Sequence, residues 1–443
     1  MNETIYALSS GAGPAGIAVI RLSGPEAGHV LRRITGRGAL PTPRRASFTA
    51  LLHPDRGERV DEGLVLWFPA PHSYTGEDVA ELHVHGGPAV IAAVLETLGG
   101  MSGLRMAEPG EFTRRAFLNG KMDLTAAEGV ADLVAAETEA QRKQALRQAE
   151  GELARLYDGW RQRLVRTLAH FEAYIDFPDE ELPDEVRSQI EHEISSLVNA
   201  ISQHMDDGRR GERLRTGLDI AIVGPPNAGK SSLMNRLARR DAAIVSETAG
   251  TTRDVIEVAL DLGGYPVTLA DTAGLRVAEG SIEEEGVRRA RKRAETAELR
   301  ILVLDGGDPS GVAGVADLIG PSTLVALNKC DVAASVVRIA APCLGVCPVS
   351  ATTGEGITAL LDRLAAAVRE RIGLSGQPVI TRARHREALA QCLSALRRMQ
   401  QAALPELAAE DLRLAVRALG RITGQVDVED LLDVIFRDFC IGK

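Results

Sequence analysis

Near the centre of the chain, residues 224–231 have the sequence Gly-Pro-Pro-Asn-Ala-Gly-Lys-Ser. This stretch follows an apolar run at 218–223 and precedes a helical pattern at 232–237. A strand, then G-x-x-x-x-G-K-S, then a helix is the context of a phosphate-binding loop, in which backbone N–H groups curl around phosphate oxygens. Lys230 offers a positive charge to the β- and γ-phosphates, and Ser231 offers a hydroxyl to Mg²⁺. The stretch therefore predicts a nucleotide-binding α/β unit.

Composition limits the other possibilities. The 443 residues suggest about three domains, and 45% hydrophobic with 25% charged residues is typical of a globular protein. The net charge of −10 argues against nucleic-acid binding through overall charge alone. The five cysteines are odd in number and unevenly spread, which indicates reduced thiols. Cys343 and Cys347 could form half of a metal site, but no second pair accompanies them. With no basic and apolar leader at the start and no apolar run of about 20 residues, we expect a cytoplasmic chain.

The pattern changes along the chain and predicts four segments. Residues 1–118 form a small α/β domain, with strand patterns at 17–22, 63–68 and 79–85 and a helix at 89–98. Long amphipathic helices follow at 119–213. Residues 214–375 alternate apolar strands with helices, as a mostly parallel sheet of a Ras-like P-loop domain requires. Residues 376–443 are helical again, so we predict a nucleotide-binding domain inserted into a helical one.

Two polar stretches of the N-terminal half have a structural interpretation and a functional one. Residues 110–121 are dense in polar and turn residues, which is typical of a solvated connector. In the strand pattern at 79–85, Glu81, His83 and His85 share one face. Without a third ligand, partly exposed strand histidines are a better interpretation than a metal site. Glu81 is of interest if that face lines a pocket.

Four further motifs follow the phosphate-binding loop, most of them at the end of a strand pattern. Residues 246–254 hold Thr251 and Thr252, two candidates for a second Mg²⁺ hydroxyl, and Asp-Thr-Ala-Gly follows at 271–274. Asn-Lys-Cys-Asp at 328–331 ends in Asp331, which can accept hydrogen bonds from the ring N–H and amine of guanine but not from adenine. Ser-Ala-Thr at 350–352 can offer a backbone N–H to the guanine oxygen. The five motifs together predict a GTPase.

These motifs supply the predicted GTP contacts. The residues are Asn227, Ala228, Gly229, Lys230, Ser231, Ser232, Ser246, Glu247, Thr248, Ala249, Gly250, Thr251, Thr252, Asp271, Thr272, Ala273, Gly274, Asn328, Lys329, Asp331, Ser350, Ala351 and Thr352.

The group that positions the attacking water is not evident from the motifs. Many small GTPases carry a glutamine directly after Asp-Thr-Ala-Gly, but this chain has Leu275, which cannot orient water by hydrogen bonding. The acidic run at 283–285 is the nearest candidate. A capped, solvated helix start explains that run equally well.

Several of these stretches together resemble the tRNA-modification GTPase family MnmE, also called TrmE. The resemblance covers essentially the whole chain and rests on residues 110–121, 224–232 and 249–254 and on the final Phe-Cys-Ile-Gly-Lys at 439–443. It implies a homodimer joined through N-terminal domains that bind 5-formyl-tetrahydrofolate. It also implies a heterotetramer with the flavoprotein MnmG (GidA). Together, the two proteins are expected to install a carboxymethylaminomethyl-type group on C5 of the wobble uridine of certain tRNAs.

The resemblance also implies roles for individual residues. Folate contacts match Arg21, Glu81, Lys121 and Lys443. In the family, potassium stimulates hydrolysis when the GTPase domains dimerise. The residues here that match the family's potassium ligands are Asn227, Ser246, Thr248 and Thr251. The expected Mg²⁺ ligands are Ser231 and Thr252, and the position of the family's catalytic glutamate corresponds to Glu283.

Two questions stay open on the sequence. Cys440 in the terminal motif is either a nucleophile in the tRNA chemistry or a structural thiol. The GTPase motifs alone fit equally an assembly factor, for example one that binds ribosomes, without modification chemistry. The N-terminal domain and the terminal motif favour the modification enzyme.

Overall fold

The computed structural model describes most of the chain in two compact units. One unit holds 1–131, 148–169 and 412–443, and the other holds 132–147 and 170–411. The described residues are 3–11, 13–176, 184–239, 257–271, 293–332, 337–339, 341–373, 376–426, 429–437 and 439–442. Within them, no helix combines the length and the apolar character that a membrane span requires.

The first unit contains a six-stranded sheet. Its strands are β1 (Thr4–Leu8), β2 (Ala15–Ser23), β3 (Ser47–Leu52), β4 (Arg59–Phe68), β5 (Val79–Gly86) and β6 (Leu104–Met106). Their order is β3-β4-β5-β2-β1-β6, and neighbours are antiparallel except β1 and β6. Alternate residues of β2, such as Ile20 and Leu22, are fully buried in the core with side chains of α1 (Ala27–Thr35) and α2 (Pro88–Gly99). The remaining residues of β2, Arg21 among them, lie on the opposite face.

The opposite face carries a short helix that the sequence analysis did not predict. Residues expected to form a solvated connector contain α3 (Glu111–Leu118), whose Phe112 is fully buried and whose Arg115 is 2% exposed. The connector prediction is therefore wrong. Its polar composition is misleading because the guanidinium of Arg115 is paired inside the protein, with Glu77 and Glu111 each at 3.0 Å.

The helical elements agree with the predicted periodicity. They are α4 (Leu124–Val134), α5 (Glu139–Ala149), α6 (Glu152–Asp176), α7 (Asp184–Met205), α8 (Arg210–Thr216), α11 (Ala383–Gln401), α12 (Pro405–Thr423) and α13 (Glu429–Arg437). In the second unit, α11 packs against α7. In the first unit, Asp158 of α6 accepts a hydrogen bond from Gln425, just after α12, at 2.7 Å. Both contacts confirm that the final helices pack onto helices that precede residue 210.

The second unit contains the sheet that carries the phosphate-binding loop. Its strands are β7 (Leu218–Val223), β8 (Glu257–Leu262), β9 (Tyr265–Asp271), β10 (Leu299–Asp305), β11 (Thr323–Asn328) and β12 (Gly345–Pro348). Their order is β12-β11-β10-β7-β9-β8, and only the edge strand β8 is antiparallel to its neighbour. The helices are α9 (Lys230–Ala238) and α10 (Ile357–Ile372), with a 3-10 helix at Pro309–Leu318. The predicted mostly parallel sheet is confirmed.

Candidate functional site

The phosphate-binding loop connects β7 to α9, as the sequence predicts. Gly229 has φ +94° directly before α9, and Asn227 has φ +60°, a left-handed conformation that asparagine tolerates better than most residues. Lys230 Nζ donates to the carbonyls of Gly224 and Pro225, at 2.9 and 2.8 Å. The ammonium therefore lies over the loop, and the first N–H groups of α9 face the same region. A helix N-terminus of this kind binds phosphate.

Asn328, at the end of β11, joins the loop to the predicted guanine site. Its side chain is 3% exposed, and its Nδ2 donates to the Ala228 carbonyl at 2.8 Å. Its Oδ1 accepts the N–H of Ala351 at 2.9 Å. One side chain thus holds together the phosphate-binding loop and the Ser-Ala-Thr motif.

The other residues of the guanine motif lie at the same edge of the sheet. Lys329 has φ +67°, and its ammonium pairs with Asp305 at 2.7 Å. This hydrogen bond lowers the pKa of the Asp305 carboxyl. Asp331 is exposed, and Ser350 is fully buried. The structure therefore places the motifs at 328–331 and 350–352 beside the phosphate-binding loop.

Part of the predicted site lies outside the described residues. The backbone of Asp271 is the register partner of Ile222, two residues before the loop, which places the end of β9 beside it. The predicted residues outside the described chain are Ser246, Glu247, Thr248, Ala249, Gly250, Thr251, Thr252, Thr272, Ala273, Gly274, Glu283 and Lys443.

The predicted folate contacts lie on the sheet of the first unit. Arg21 on β2 and Glu81 on β5 are register partners, and their side chains form an ion pair at 3.0 Å. His83 Nε2 lies 3.3 Å from the second carboxylate oxygen of Glu81. The Arg21 guanidinium lies over the rings of Tyr74 and Phe112, with centroid distances of 5.2 and 5.7 Å. Glu81 therefore belongs to a polar wall bordered by aromatic rings.

Lys121 and the C-terminal segment lie in the same unit as this wall. Lys121 Nζ donates to the Pro71 carbonyl at 3.0 Å, in the loop that also carries Tyr74. The Gly442 carbonyl accepts a hydrogen bond from Ser9 Oγ at 2.9 Å, so the terminal segment lies along the end of β1. Cys440 is exposed.

An ion-pair network in the same unit was not predicted from the sequence. Arg115 bridges Glu77 and Glu111, and Arg105 binds both carboxylate oxygens of Glu111, at 2.8 and 2.6 Å. Burial alone would raise the pKa of Glu111, but the hydrogen bonds from Arg105, from the Glu108 N–H and from Arg115 outweigh it and lower that pKa. The spacing of Glu111 and Arg115, four residues apart in a helix, is the signal that could have revealed the pair.

Comparisons with known proteins find relatives along the whole chain. Residues 124–440 match the family model described as the MnmE helical domain, and residues 4–121 match that of the GTP-binding protein TrmE N-terminus. The chain is 61% identical to the tRNA modification GTPase MnmE of Parvibaculum lavamentivorans, with 100% of each chain covered. It is 56% identical to the protein of that name from Rhodospirillum rubrum, with 100% of this chain and 99% of the relative covered.

A human protein is similar over the same length. The chain is 50% identical to the 5-taurinomethyluridine-[tRNA] synthase subunit GTPB3, mitochondrial, of Homo sapiens, with 100% of this chain and 94% of the relative covered. Identity of this degree over the whole length, together with the two family models, identifies the family. The chain belongs to the MnmE (TrmE) family of tRNA modification GTPases.

Proposed function

We propose that this chain hydrolyses GTP and, with the flavoprotein MnmG, installs a carboxymethylaminomethyl-type group at C5 of the wobble uridine of certain tRNAs. The observation that carries the proposal is the bridge from Asn328 to Ala228 and Ala351, which joins a phosphate-binding loop to a guanine motif. The names of the relatives support the tRNA substrate, and the human relative's name refers to a 5-substituted uridine and to a synthase subunit.

The decisive experiment measures tRNA nucleosides. A strain without the gene should lack the C5 group on its wobble uridine in mass spectrometry, and the wild-type gene should restore it. A Lys230→Ala gene should not restore it, because Lys230 supplies the charge that faces the phosphates. Unchanged nucleosides in the deletion strain would contradict the proposal and favour the alternative, an assembly factor without modification chemistry.

For hydrolysis, we assign roles to the chain's own side chains. Lys230 and the N-terminus of α9 bind the phosphates, and Asp331 accepts hydrogen bonds from guanine. Ser231, exposed at the start of α9, fits a Mg²⁺ ligand with Thr252. Mg²⁺ would neutralise charge that develops on the phosphates. Turnover should stop when EDTA removes the metal and return with added Mg²⁺, and turnover that persists in EDTA would contradict this assignment.

Potassium is the second ion that we propose. Asn227 is exposed in the loop, so its amide is accessible to an ion. The other ligands implied by the family, at 246, 248 and 251, lie outside the described residues. A potassium ion would add positive charge near the developing phosphate charge, a role that other GTPases give to an arginine. Hydrolysis should be faster in K⁺ than in Na⁺ at equal ionic strength, and equal rates would argue against the site.

We propose that the wall formed by Arg21 and Glu81 binds 5-formyl-tetrahydrofolate, together with Lys121 and Lys443. A carboxylate has about four acceptor positions, so Glu81 can still accept hydrogen bonds from a ligand while it contacts Arg21 and His83. The positive charge of Lys121 suits the acidic end of a folate. In calorimetric titrations, Glu81→Gln should weaken folate binding at least tenfold. Asp61→Asn, which changes a carboxylate paired with His85, is the matched control. Equal affinities in the two variants would remove Glu81 from the site.

We further propose a homodimer through the N-terminal domains and a heterotetramer with MnmG. The word subunit in the human relative's name supports a partner. Sedimentation of the chain alone and with MnmG tests both, and a monomer that never binds MnmG would contradict them.

The domain boundaries that we propose remain 1–118, 119–213, 214–375 and 376–443, and limited proteolysis would test them.

The location that we propose is the cytoplasm, where five unpaired thiols remain reduced. Cell fractionation tests this location.

For Cys440, a role in the tRNA chemistry and a structural role both fit an exposed thiol. Cys440→Ser should abolish modification without loss of stability if the thiol reacts, and full modification in that variant would exclude the chemical role.

A further inference from the structure

The Ser-Ala-Thr motif lies in a loop, residues 350–355, that folds back on itself. The Ser350 carbonyl accepts the N–H of Gly354 at 2.8 Å, and the Ser350 N–H donates to the Glu355 carbonyl at 2.9 Å. Ser350 Oγ accepts the N–H of Thr353 at 3.0 Å. These bonds close the loop, but they leave the carbonyls of Ala351 and Thr352 to partners from elsewhere in the fold.

Those two carbonyls accept hydrogen bonds from Arg236, a side chain of α9. Its Nε donates to the Ala351 carbonyl at 3.0 Å, and its Nη2 donates to the Thr352 carbonyl. The planar guanidinium presents parallel donors, so it can hold two successive carbonyls at once. A Cβ added at Gly354 would lie 3.3 Å from Arg236 Nη1, so the loop also packs closely against the same group.

Holding these carbonyls also orients N–H groups. In a trans peptide the C=O and the next N–H point in opposite directions in one plane. The bond from Arg236 to the Ala351 carbonyl therefore directs the N–H of Thr352 away from the guanidinium. On the other side of Ala351, Asn328 Oδ1 holds its N–H. Two side chains from different elements thus set the peptide planes of the motif that faces guanine.

Arg236 also connects the two halves of the nucleotide site. It lies four residues after Ser232 on α9, the helix whose N-terminus faces the phosphates. Together with Ser232 and Ala351, both predicted GTP contacts, Arg236 lines a cavity of about 490 Å³. Because Arg236 belongs to α9, a movement of α9 would also move the guanidinium that holds the Ser-Ala-Thr loop.

We propose that Arg236 is a positioning residue for guanine. It holds the Ser-Ala-Thr loop in the conformation that binds the base, and it couples that loop to α9, the helix whose N-terminus faces the phosphates. The proposal rests on the proposed GTPase function and adds to it a side chain outside the predicted motifs. Lysine cannot replace it, because a single ammonium does not reproduce the two-carbonyl geometry of the guanidinium.

The test compares Arg236→Lys with a matched control, Arg239→Lys. Arg239 directly follows the last residue of α9 and lines the same cavity, and within the described chain no hydrogen bond joins its side chain to the loop. Binding of GDP, ADP and tripolyphosphate is measured by calorimetry for the wild type and each variant. Arg236→Lys should weaken GDP binding about tenfold, which corresponds to about 1.4 kcal/mol. Its binding of ADP and tripolyphosphate should stay within about twofold of the wild type, as should all binding by Arg239→Lys.

The ratio of GDP affinity to ADP affinity distinguishes a positioning role of Arg236 from a merely structural one. Arg236→Gln is a second replacement, which keeps a neutral donor and should also lower the ratio of GDP to ADP affinity. An unchanged ratio in both variants, including an equal loss for all three ligands, would overturn the proposal. If the wild type itself did not prefer GDP to ADP, the proposed GTPase function would fail first, and that result is distinguishable because it needs no variant.

Discussion

Replacement of Gly229 by alanine tests the joined nucleotide site directly. Gly229 has φ +94° at the start of α9, and a Cβ built there would lie 2.1 Å from Asn328 Nδ2. That distance is far below van der Waals contact, so Asn328 must move. Its movement breaks the hydrogen bonds that hold Ala228 and Ala351 together.

Two terms set the size of the effect. A left-handed conformation costs an L-residue other than glycine roughly 1–2 kcal/mol. Displacement of Asn328 loses two hydrogen bonds, at about 1 kcal/mol each. The free energy of unfolding should therefore fall by about 3–4 kcal/mol, which lowers the Tm of a domain of this size by roughly 10 °C. Affinity for GDP should fall at least about 100-fold, because the phosphate-binding loop and the guanine motif lose their common anchor.

Calorimetric unfolding and GDP titration measure both quantities. Gly320→Ala is the matched control: apart from its two chain neighbours, no heavy atom of the described residues lies within 4 Å of the Cβ position there, and its φ is not positive. The control should change Tm by no more than about 2 °C. A Gly229→Ala protein with wild-type Tm and wild-type GDP affinity would refute the reasoning.

Three further predictions concern other parts of the chain. Arg115→Met should destabilise the first unit by about 3–5 kcal/mol in urea unfolding, because it leaves Glu77 without its cation and the buried Glu111 with Arg105 alone. Arg114→Met, at an exposed pair, should cost at most about 1 kcal/mol, and equal losses in the two variants would contradict the importance of burial. Burial lowers the pKa of His204 to about 4, so the unfolded chain takes up this proton first and stability should decline as pH falls from about 6.5 to 4. His204→Gln should lose less stability over that range than the wild type or the exposed-site variant His192→Gln, and identical pH profiles would exclude the effect. Glu283→Ala should bind GTP normally yet lose most of its turnover, and normal turnover would remove Glu283 from catalysis.

Local patterns in the sequence were sufficient for the architecture of the second unit. Short apolar runs such as 218–223 and 323–327, bounded by turn residues, are typical of buried strands in a parallel sheet covered on both faces. The phosphate-binding loop is recognised by the spacing of its glycines and lysine. The antiparallel strand at 257–262 was not predicted, because an edge strand has a weaker apolar pattern.

The N-terminal half shows why polar residues are harder to place. The sequence shows Glu81 on a polar face, but its pairing with Arg21 depends on the register of β2 and β5, sixty residues apart. The burial of Arg115 is likewise invisible in the sequence, since a charged residue is expected in solvent unless its partners are known.

The amino-acid sequence alone established the GTPase motifs, the insertion of one domain into another and the family, because these depend on residue type and spacing along the chain. Tertiary structure alone established which side chains hold those motifs together. Asn328 and Arg236 reach the same loop from a strand end and a helix, at separations of about twenty and more than a hundred residues. Such contacts depend on how the elements pack, and no local pattern encodes them.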